Sequence, residues 1–391
     1  MKKFFLFLCV LSLGGIVPAS AQSVPQVPEV GARAYLLLDL TADQVLAARE
    51  EEAGMPPASL TKLMTAYLVF DALRVGKLEL DEALPVSELA WRQPGSRMFL
   101  EPRMKVPVED LLKGLLVQSG NDAAVVLAEG VAGSVERFVH LMNEQAQALG
   151  MAATRFRNPT GLPEPGHVST ARDLGILATR LLRDFPDQAH FHAIRKYRYA
   201  GTPPANDSNR NLLLFRDPSV DGLKTGHAEA AGYSMIASAR RDFPNLGPDG
   251  TPGARRLLAI VLGADSENAR AREAQRLLNW GYTAFEAVKL FDANQPVVTP
   301  AIWKGRSAQA PLGRPRAVVV AVPVGSAAEL RAQAVRPDPL VAPLAKGQRA
   351  GTLRISVGER TLQELPLVAL ATVDEAGLLG RAWDAFRLWI Q

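Results

Sequence analysis

The sequence predicts an α/β fold of the α+β kind, in which helices pack on one mixed sheet and a small all-β domain follows. Strand patterns open the chain and return before residue 264, helical patterns fill the middle, and one further helix closes this region. From about residue 288 to 373 the helical periodicity fades, and short strands alternate with proline and glycine. At 391 residues, the chain has room for two or three such domains.

The predicted elements follow one another in a definite order. Two strands flank a Thr-Ala-Asp turn, and the first helix has apolar residues on most sides, which predicts a central, buried helix. Ser266 is interpreted as the cap of the last helix. The predicted strands are 34–39, 44–48, 223–225, 233–239, 257–262, 318–322, 351–357 and 365–370; the helices are 59–74, 108–118, 123–131, 135–149, 170–182 and 267–285; Pro/Gly loops are 158–166 and 242–254.

The first 21 residues have the layout of a secretory signal peptide, with two lysines, an apolar run and a small-residue site ending at Ala21. The alternative, a membrane anchor, is disfavoured because the apolar run is shorter than the ~20 residues needed to span a bilayer. The single cysteine, Cys9, lies within this segment. The mature chain therefore has no cysteine nucleophile and no cysteine-ligated zinc.

Composition excludes several classes of function. The chain is 48% hydrophobic and 21% charged, which indicates a globular protein. Its net charge of +4 includes two lysines of the predicted signal peptide, and no basic run carries interleaved aromatics, so a nucleic-acid partner is not expected. Zinc and nucleotide motifs are lacking in the sequence, so no metal or cofactor is expected.

Three short motifs carry groups suited to serine chemistry. Ser59 and Lys62 lie at i and i+3 of a helix, where a lysine with a lowered pKa can activate the serine. Ser119-Gly120-Asn121 falls between two helices and can aim a second hydroxyl and an amide at Ser59. Lys224-Thr225-Gly226 falls on a strand, where its side chains can bind a carboxylate and its glycine permits close approach. Alone, each also fits a chance spacing, a helix cap or a strand end.

In this order, the motifs resemble those of the low-molecular-mass penicillin-binding proteins, the serine-type D-alanyl-D-alanine carboxypeptidases. The resemblance covers nearly the whole mature chain. It implies a serine β-lactamase/transpeptidase-like domain with helices on an antiparallel sheet, and an enzyme that trims peptidoglycan stem peptides and is acylated by β-lactam antibiotics. The strings that carry it are PASLTK at 57–62, QSGNDA at 118–123, STARD at 169–173, VDGLKTGH at 220–227 and REA at 272–274.

The resemblance also implies a role for each site residue. Backbone N–H groups of Ser59 and His227 would form the oxyanion hole, and Asp173 would be a structural acid beside the site. The catalytic residues would be Ser59 as nucleophile, Lys62 as its base and Ser119 as proton shuttle. The substrate-binding residues would be Asn121 at the substrate amide, and Lys224, Thr225, Gly226 and Arg272 around the terminal carboxylate.

Several alternatives remain beside this interpretation. A class A β-lactamase would need a Glu–Asn pair, and no asparagine closely follows Glu164 on its loop. A D,D-endopeptidase that cuts crosslinks shares the motifs, but such relatives usually lack the second domain. A non-catalytic wall-binding protein would have lost Ser59 or Lys62. Thr160 stands where some relatives carry a histidine, so no deacylation role is carried over to it.

The last residues predict an amphipathic helix that lies in the headgroup plane of a membrane. The alternative is a helix packed on its own β domain. Relatives use such a tail on the outer face of the cytoplasmic membrane, which implies a periplasmic enzyme held peripherally at that membrane. The predicted apolar face carries Leu379, Trp383, Phe386 and Ile390, and the opposite side Arg381, Asp384 and Arg387. The predicted segments are 1–21 (signal peptide), 22–286 (catalytic domain), 287–374 (β domain) and 375–391 (anchoring helix).

Overall fold

The computed structural model of the chain describes residues 25–247, 251–378 and 383–384. The predicted signal peptide lies outside the described residues, and so does most of the predicted anchoring helix. Within the described part of the chain, no helix is long and apolar enough to cross a membrane.

A five-stranded sheet forms the centre of the first domain. Its strands lie in the order β2-β1-β7-β6-β5, and every neighbouring pair is antiparallel. The expectation of a mixed sheet is therefore wrong, whereas the antiparallel sheet implied by the family resemblance is confirmed. These strands are β1 (Ala34–Asp39), β2 (Gln44–Arg49), β5 (Val220–Ala228), β6 (Gly232–Phe243) and β7 (Gly253–Ala264), and a separate pair is β3 (Ala83–Pro85) with β4 (Lys105–Pro107).

Helices cover both faces of this sheet. Alternate residues of β1 face opposite sides, so Leu36 packs in the larger apolar core under the helical layer, while Leu37 packs in the core under the last helix. The helices are α1 (Lys62–Arg74), α2 (Glu88–Trp91), α3 (Val108–Lys113), α4 (Asn121–Ala132), α5 (Val135–Leu149), α6 (Ala171–Asp184), α7 (Leu213–Arg216) and α8 (Glu267–Ala284).

Helix α1 is central, as its apolar pattern predicts, because nearly all of its side chains are buried. Its first turn differs from the prediction: Ala58–Thr61 is a 3-10 turn, and α1 proper begins at Lys62. The predicted helix 108–118 is likewise interrupted, since α3 ends at Lys113 and a π-helical turn, Gly114–Gln118, follows it. Ser266 caps α8 as expected, with its hydroxyl accepting the Ala269 N–H at 3.0 Å.

The predicted loop between β6 and β7 is confirmed, with boundaries that differ by two residues at each end from the predicted 242–254. Strand pairing between β6 and β7 continues to Asp242 with Ala254 and Phe243 with Gly253. The prolines Pro244 and Pro252 lie just outside the paired residues, as expected for residues that cannot donate a backbone hydrogen bond to a strand pair.

The second domain is β-rich, as predicted. A five-stranded sheet has the order β13-β15-β16-β11-β9, and valines of β12 pack against leucine and isoleucine of β15 and β16. The strands are β8 (Phe285–Phe291), β9 (Pro296–Val298), β10 (Ile302–Trp303), β11 (Leu312–Gly313), β12 (Val318–Pro323), β13 (Leu330–Val335), β14 (Leu340–Val341), β15 (Arg349–Val357) and β16 (Arg360–Ala369).

The turn between β1 and β2 joins the two domains. The Gln44 amide exchanges two hydrogen bonds with the backbone of Ala321, at 3.1 and 2.7 Å. The Gln363 amide donates to the Ala42 carbonyl at 2.8 Å, and Ala42 is buried in a small apolar cluster with residues of β8 and β12. Because β8 begins directly after α8, the catalytic domain passes into the β domain without a flexible linker.

Candidate active site

Ser59 lies in the 3-10 turn that leads into α1. The residue before it, Ala58, has a φ of 47°, a left-handed conformation that a residue with a side chain rarely adopts. Gly161 packs against this turn so closely that a Cβ there would overlap the Ala58 carbonyl oxygen. The turn thus holds Ser59, which is half-buried, at the wall of a cleft.

Lys62 is fully buried directly beside the serine. Its Nζ donates to Ser59 Oγ at 3.0 Å, to Asn121 Oδ1 at 2.6 Å and to the Thr160 carbonyl at 2.6 Å. The pKa of Lys62 is lowered to about 7, mainly by burial. The negative charge of Asp122 raises this pKa, and the positive charge of Arg210 lowers it further. Near neutral pH, a large fraction of Lys62 is therefore a neutral amine, which has a lone pair to accept the Ser59 proton.

Ser119 joins the π-helical turn to α4 with left-handed dihedral angles, φ 61° and ψ 35°. The buried Nζ of Lys224 donates to Ser119 Oγ at 3.0 Å and to the Thr225 carbonyl at 3.1 Å. Burial first, and then the positive charges of Lys62 and Arg210, lower the pKa of Lys224 well below its usual value. The structure therefore pairs each serine with its own lysine, Ser59 with Lys62 and Ser119 with Lys224.

The start of α4 fixes the loop on one side of the cleft. The Asn121 side-chain amide donates to the Pro94 carbonyl at 2.6 Å, while its oxygen accepts from Lys62. The buried carboxylate of Asp122 accepts the backbone N–H groups of Met98 and Leu100, at 2.8 and 3.1 Å. Sequence reasoning missed this acid, although it directly follows the predicted motif and a buried carboxylate at the first turn of a helix has a clear structural use.

Strand β5 forms the opposite side of the cleft. It is an edge strand, and a Cβ at Gly226 would meet the Pro57 carbonyl and Ala58, so the glycine lets the strand lie against the nucleophile turn. Thr225 and His227 line the cleft together with Ser59 and Ser119. The His227 ring stacks on the Tyr233 ring, with the two ring centroids 4.1 Å apart.

The prediction for Arg272 is wrong. Its side chain is 60% exposed, pairs with Glu273, and is not among the residues that line the cleft. Arg270, only 2% exposed, lines the cleft and donates to the Gly226 carbonyl at 3.1 Å. Two residues along a helix is a turn of about 200°, so the two arginines face opposite ways. The buried face of α8, which continues through Ala274 and Leu277, could have identified Arg270.

Arg210 is a further cleft residue that sequence reasoning missed. It lines the cleft, which has a volume of about 220 Å³, from the segment before α7. Its carbonyl accepts from Arg270, and its guanidinium donates to Asn206. Arg270 also lines the cleft and pairs with Glu267, a further lining residue, at 3.2 Å. The segment has no recognisable motif, so only the folded chain brings Arg210 to the site.

The loop between α5 and α6 contributes its backbone to the site. Thr160 supplies its carbonyl to Lys62, while its hydroxyl donates to Asn158 Oδ1 at 2.9 Å. His167, at the end of the loop, lies 3.0 Å from the Thr61 hydroxyl. Asp173, predicted as a structural acid, accepts from Thr154 Oγ1 at 2.7 Å and from the Ala153 N–H at 3.0 Å. Its contacts tie the segment before the loop to α6.

Comparisons with known proteins agree with this geometry. A family profile described as D-alanyl-D-alanine carboxypeptidase matches residues 21–265, and one described as the C-terminal domain of penicillin-binding protein 5 matches 285–375. The D-alanyl-D-alanine carboxypeptidase DacC of Escherichia coli (strain K12) is 38% identical over 93% of this chain and 90% of its own length. The chain belongs to the D-alanyl-D-alanine carboxypeptidase family. As a carboxypeptidase of this family with a paired Ser59 and Lys62, it is a serine peptidase.

Solved structures of other carboxypeptidases and penicillin-binding proteins have the same fold. Penicillin-binding protein 5 from Haemophilus influenzae matches with a TM-score of 0.82 and 33% identity, over 90% of this chain and 99% of that one. Penicillin-binding protein D2 from Listeria monocytogenes, in its ampicillin-bound form, matches with a TM-score of 0.56 and 30% identity, over 66% of this chain and 99% of that one. The D-alanyl-D-alanine endopeptidase of Escherichia coli is 30% identical over 72% of this carboxypeptidase.

Proposed function

We propose that this carboxypeptidase removes the terminal D-alanine from peptidoglycan pentapeptides through an acyl-enzyme on Ser59. The observation that carries the proposal is the buried Lys62 amine, with a pKa of about 7, placed 3.0 Å from Ser59 Oγ. An amine with a pKa near 7 is largely neutral at neutral pH and is still basic enough to accept the proton of the serine hydroxyl.

In the acylation step, neutral Lys62 takes the proton of Ser59 as Oγ attacks the carbonyl carbon of the penultimate D-alanine. Two N–H donors remain on the amine for Asn121 and Thr160, which hold it in place during the transfer. We assign the oxyanion hole to the backbone N–H groups of Ser59 and His227, which line the same cleft. The C–N bond then breaks, and the amine of the leaving D-alanine receives, through Ser119, the proton that Lys62 took from Ser59, so that Lys62 becomes neutral again.

Two arginines and a threonine of the cleft support recognition of the terminal carboxylate. Thr225 offers a hydroxyl, and Arg210 and the buried Arg270 line the same cleft. A carboxylate at this position would be stabilised by charge-assisted hydrogen bonds. Hydrolysis of the acyl-enzyme by water then releases the shortened peptide and restores the Ser59 hydroxyl.

The same site would take β-lactam antibiotics. A penicillin carries a strained amide and a carboxylate at a spacing close to that of the peptide, so the reaction of Ser59 with it opens the ring and leaves an acyl-enzyme. The ampicillin-bound structure of the Listeria protein supports this reaction for a relative with the same fold.

Product analysis on a wall fragment tests the proposal. Incubation with an uncrosslinked pentapeptide fragment should release free D-alanine and leave a tetrapeptide, detected by mass spectrometry. A parallel incubation with a crosslinked dimer separates the D,D-endopeptidase alternative, since that activity yields two monomers without free D-alanine. Absence of free D-alanine from the pentapeptide, with an enzyme that still reacts with penicillin, would contradict the carboxypeptidase proposal.

We propose further that the enzyme is exported to the periplasm and held at the outer face of the cytoplasmic membrane by its C-terminal segment. Leu378 and Trp383 are exposed, whereas a carboxylate oxygen of Asp384 accepts the Lys304 N–H of the β domain at 2.7 Å. Asp384 belongs to the predicted polar side of the segment, and the proposal assigns the predicted apolar side to lipid. Arg381 and Arg387 would favour anionic lipid.

Liposome flotation tests the membrane proposal. The mature chain should float with vesicles that contain anionic lipid, and a chain without residues 378–391 should remain in the soluble fraction. Penicillin labelling of the truncated chain provides the control for folding, since the motif residues lie in the first domain. If the truncated chain floats as well as the full chain, the anchoring segment is elsewhere.

A further inference from the structure

A buried amide lies directly before the proton shuttle. Gln118 is the last residue of the π-helical turn, and its side chain is fully buried. The three residues before it, Leu115, Leu116 and Val117, are apolar and buried as well. An apolar side chain of similar size would suit such surroundings, and burial of an amide has a cost unless its polar atoms form hydrogen bonds. The amide of Gln118 therefore needs a reason beyond packing.

The hydrogen bonds of this amide reach residues that are distant in sequence. Gln118 Nε2 donates to Thr202 Oγ1 at 3.1 Å and to the Tyr197 carbonyl at 3.3 Å. Thr202 Oγ1 donates in turn to the Met98 carbonyl at 3.0 Å. Thr202 is only 2% exposed, so these hydrogen bonds form where little water competes for them. One continuous chain of hydrogen bonds thus runs from Gln118 through a hydroxyl to the segment at Met98.

The partner of Gln118 belongs to a loop with a closed base. Residues 195–209 form this loop, here named the anchor loop, and the Asn209 N–H donates to the Arg195 carbonyl at 2.8 Å across its base. Thr202 is buried although the other residues from 200 to 205 are mostly exposed. The anchor loop therefore offers the amide a partner that is itself fixed.

The residue that follows Gln118 has a backbone that needs support. Ser119 has a left-handed φ of 61°, which is rare for a residue with a side chain and persists only where the surroundings hold it. On the following side, the Asn121 N–H donates to the Ser96 carbonyl at 2.8 Å. On the preceding side, the Gln118 amide joins the turn to the anchor loop. The two contacts hold Ser119 from both directions along the chain.

The direction of the Ser119 hydroxyl decides where a proton can be delivered. Lys224 Nζ donates to this hydroxyl at 3.0 Å, and the substrate amine must come within the same distance. A displacement of about 1 Å can slow such a transfer by about a hundredfold. A rotation of the peptide unit between Gln118 and Ser119 would move this hydroxyl and leave Ser59 and Lys62, which lie on another element, in place.

We propose that Gln118 is a positioning residue for the proton shuttle: its amide, anchored on Thr202, holds Ser119 in the orientation that delivers a proton to the leaving amine. Given the proposed role of Ser119, on which this inference rests, loss of the anchor has a selective effect. It should slow the departure of an amine, which must be protonated. It should have little effect on a leaving group that departs without a proton.

Two substrates with the same acyl part and the same terminal carboxylate separate these cases. One is an N-acylated peptide that ends in D-alanyl-D-alanine, and in the other thioglycolate replaces the last residue as a thioester. When the C–S bond breaks, the thiolate leaves unprotonated and later takes a proton from water, since the pKa of a thiol is only about 8.5. The measured quantity is kcat/KM for the peptide divided by kcat/KM for the thioester. Both substrates form the same acyl-enzyme, so its hydrolysis does not affect this ratio.

Variants on both sides of the hydrogen bond test the anchor. Gln118→Met keeps the length of the side chain without its N–H donors and should lower the ratio about tenfold. Thr202→Val removes the hydroxyl at nearly constant size and should lower the ratio similarly, whereas Thr202→Ser keeps the hydroxyl and should retain the wild-type ratio. The double variant Gln118→Met, Thr202→Val should be no worse than the larger single effect, because both changes break one contact. Ser119→Ala is the reference for complete loss of the shuttle.

Gln363→Met is the matched control. Gln363 Nε2 also donates to a backbone carbonyl, that of Ala42 at 2.8 Å, and Gln363 lies on β16 in the second domain. Its substitution should leave the ratio as in the wild type, whatever its effect on stability. Because a ratio is compared, a variant that is only partly folded still gives a result. If Gln118→Met does not fold, the comparison of Thr202→Val with Thr202→Ser carries the test.

The possible outcomes separate the positioning role from the shuttle role. If Ser119→Ala lowers the ratio but Gln118→Met and Thr202→Val leave it at the wild-type value, Gln118 is not a positioning residue. A ratio that falls as far in Gln363→Met as in Gln118→Met would also overturn the proposal, since the cause would then be a general loss of stability. An unchanged ratio in Ser119→Ala would refute the proposed shuttle, and the role of Gln118 with it.

Discussion

The pH dependence of acylation tests the role assigned to Lys62. Burial lowers the pKa of this lysine to about 7, so its neutral, basic form increases as the pH rises through neutrality. For one titrating group with this pKa, the neutral fraction rises about tenfold between pH 6 and pH 8 and changes little above pH 9. The second-order rate of acylation by a fluorescent penicillin, measured by stopped flow, should follow the same curve.

A neighbouring charge should move that curve in a known direction. The positive charge of Arg210 lowers the pKa of Lys62, so Arg210→Gln should shift the midpoint to higher pH, whatever its effect on the maximum rate. Arg276→Gln, on the exposed face of α8, is the matched control and should leave the midpoint unchanged. An acylation rate that is flat from pH 5.5 to 9, or a midpoint that Arg210→Gln leaves in place, would refute Lys62 as the base.

Two further predictions concern packing and buried charge. Gly161→Ala should slow acylation by about a hundredfold or more, because the added Cβ would overlap the Ala58 carbonyl and displace the nucleophile turn. Gly76→Ala is the control, since Gly76 also has a positive φ but lies in open space, and it should not slow acylation. The rates of penicillin labelling of the two variants are compared. Asp39→Ala should lower the free energy of unfolding, measured by urea denaturation, by about 3–5 kcal/mol. The substitution leaves the fully buried Arg255 guanidinium without the carboxylate that lies 2.8 Å away. A loss below about 1 kcal/mol would contradict this prediction.

The side chains that take part in the reaction are easier to predict from the sequence than the groups that hold those side chains in position. Ser59, Lys62, Ser119 and Lys224 meet in space because each falls at a defined point of a helix, a turn or a strand. The Thr160 carbonyl cannot be found in this way, because any residue carries a carbonyl and only the fold of the loop aims it at Lys62.

Errors arose where two patterns compete over a short distance. The REA string at 272–274 points to Arg272, whereas the buried face of α8 points to Arg270, two residues earlier. The expectation of a mixed sheet was wrong because local sequence patterns do not show which strands pair or in which direction. The pairing of β1 with β7, for example, joins residues more than 200 positions apart. The loop between β6 and β7 was predicted two residues too long at each end, because Asp242 and Phe243 still pair with Ala254 and Gly253.

Intact-mass analysis of the mature chain after penicillin treatment shows directly whether Ser59 is the nucleophile. We expect one adduct, located by peptide mapping on the segment that contains Ser59, and no adduct on Ser59→Ala. Ser119→Ala should still be labelled at Ser59, more slowly, because its hydroxyl transfers protons and forms no bond to the substrate. An adduct on Ser119, or an adduct that persists in Ser59→Ala, would show that Ser59 is not the nucleophile.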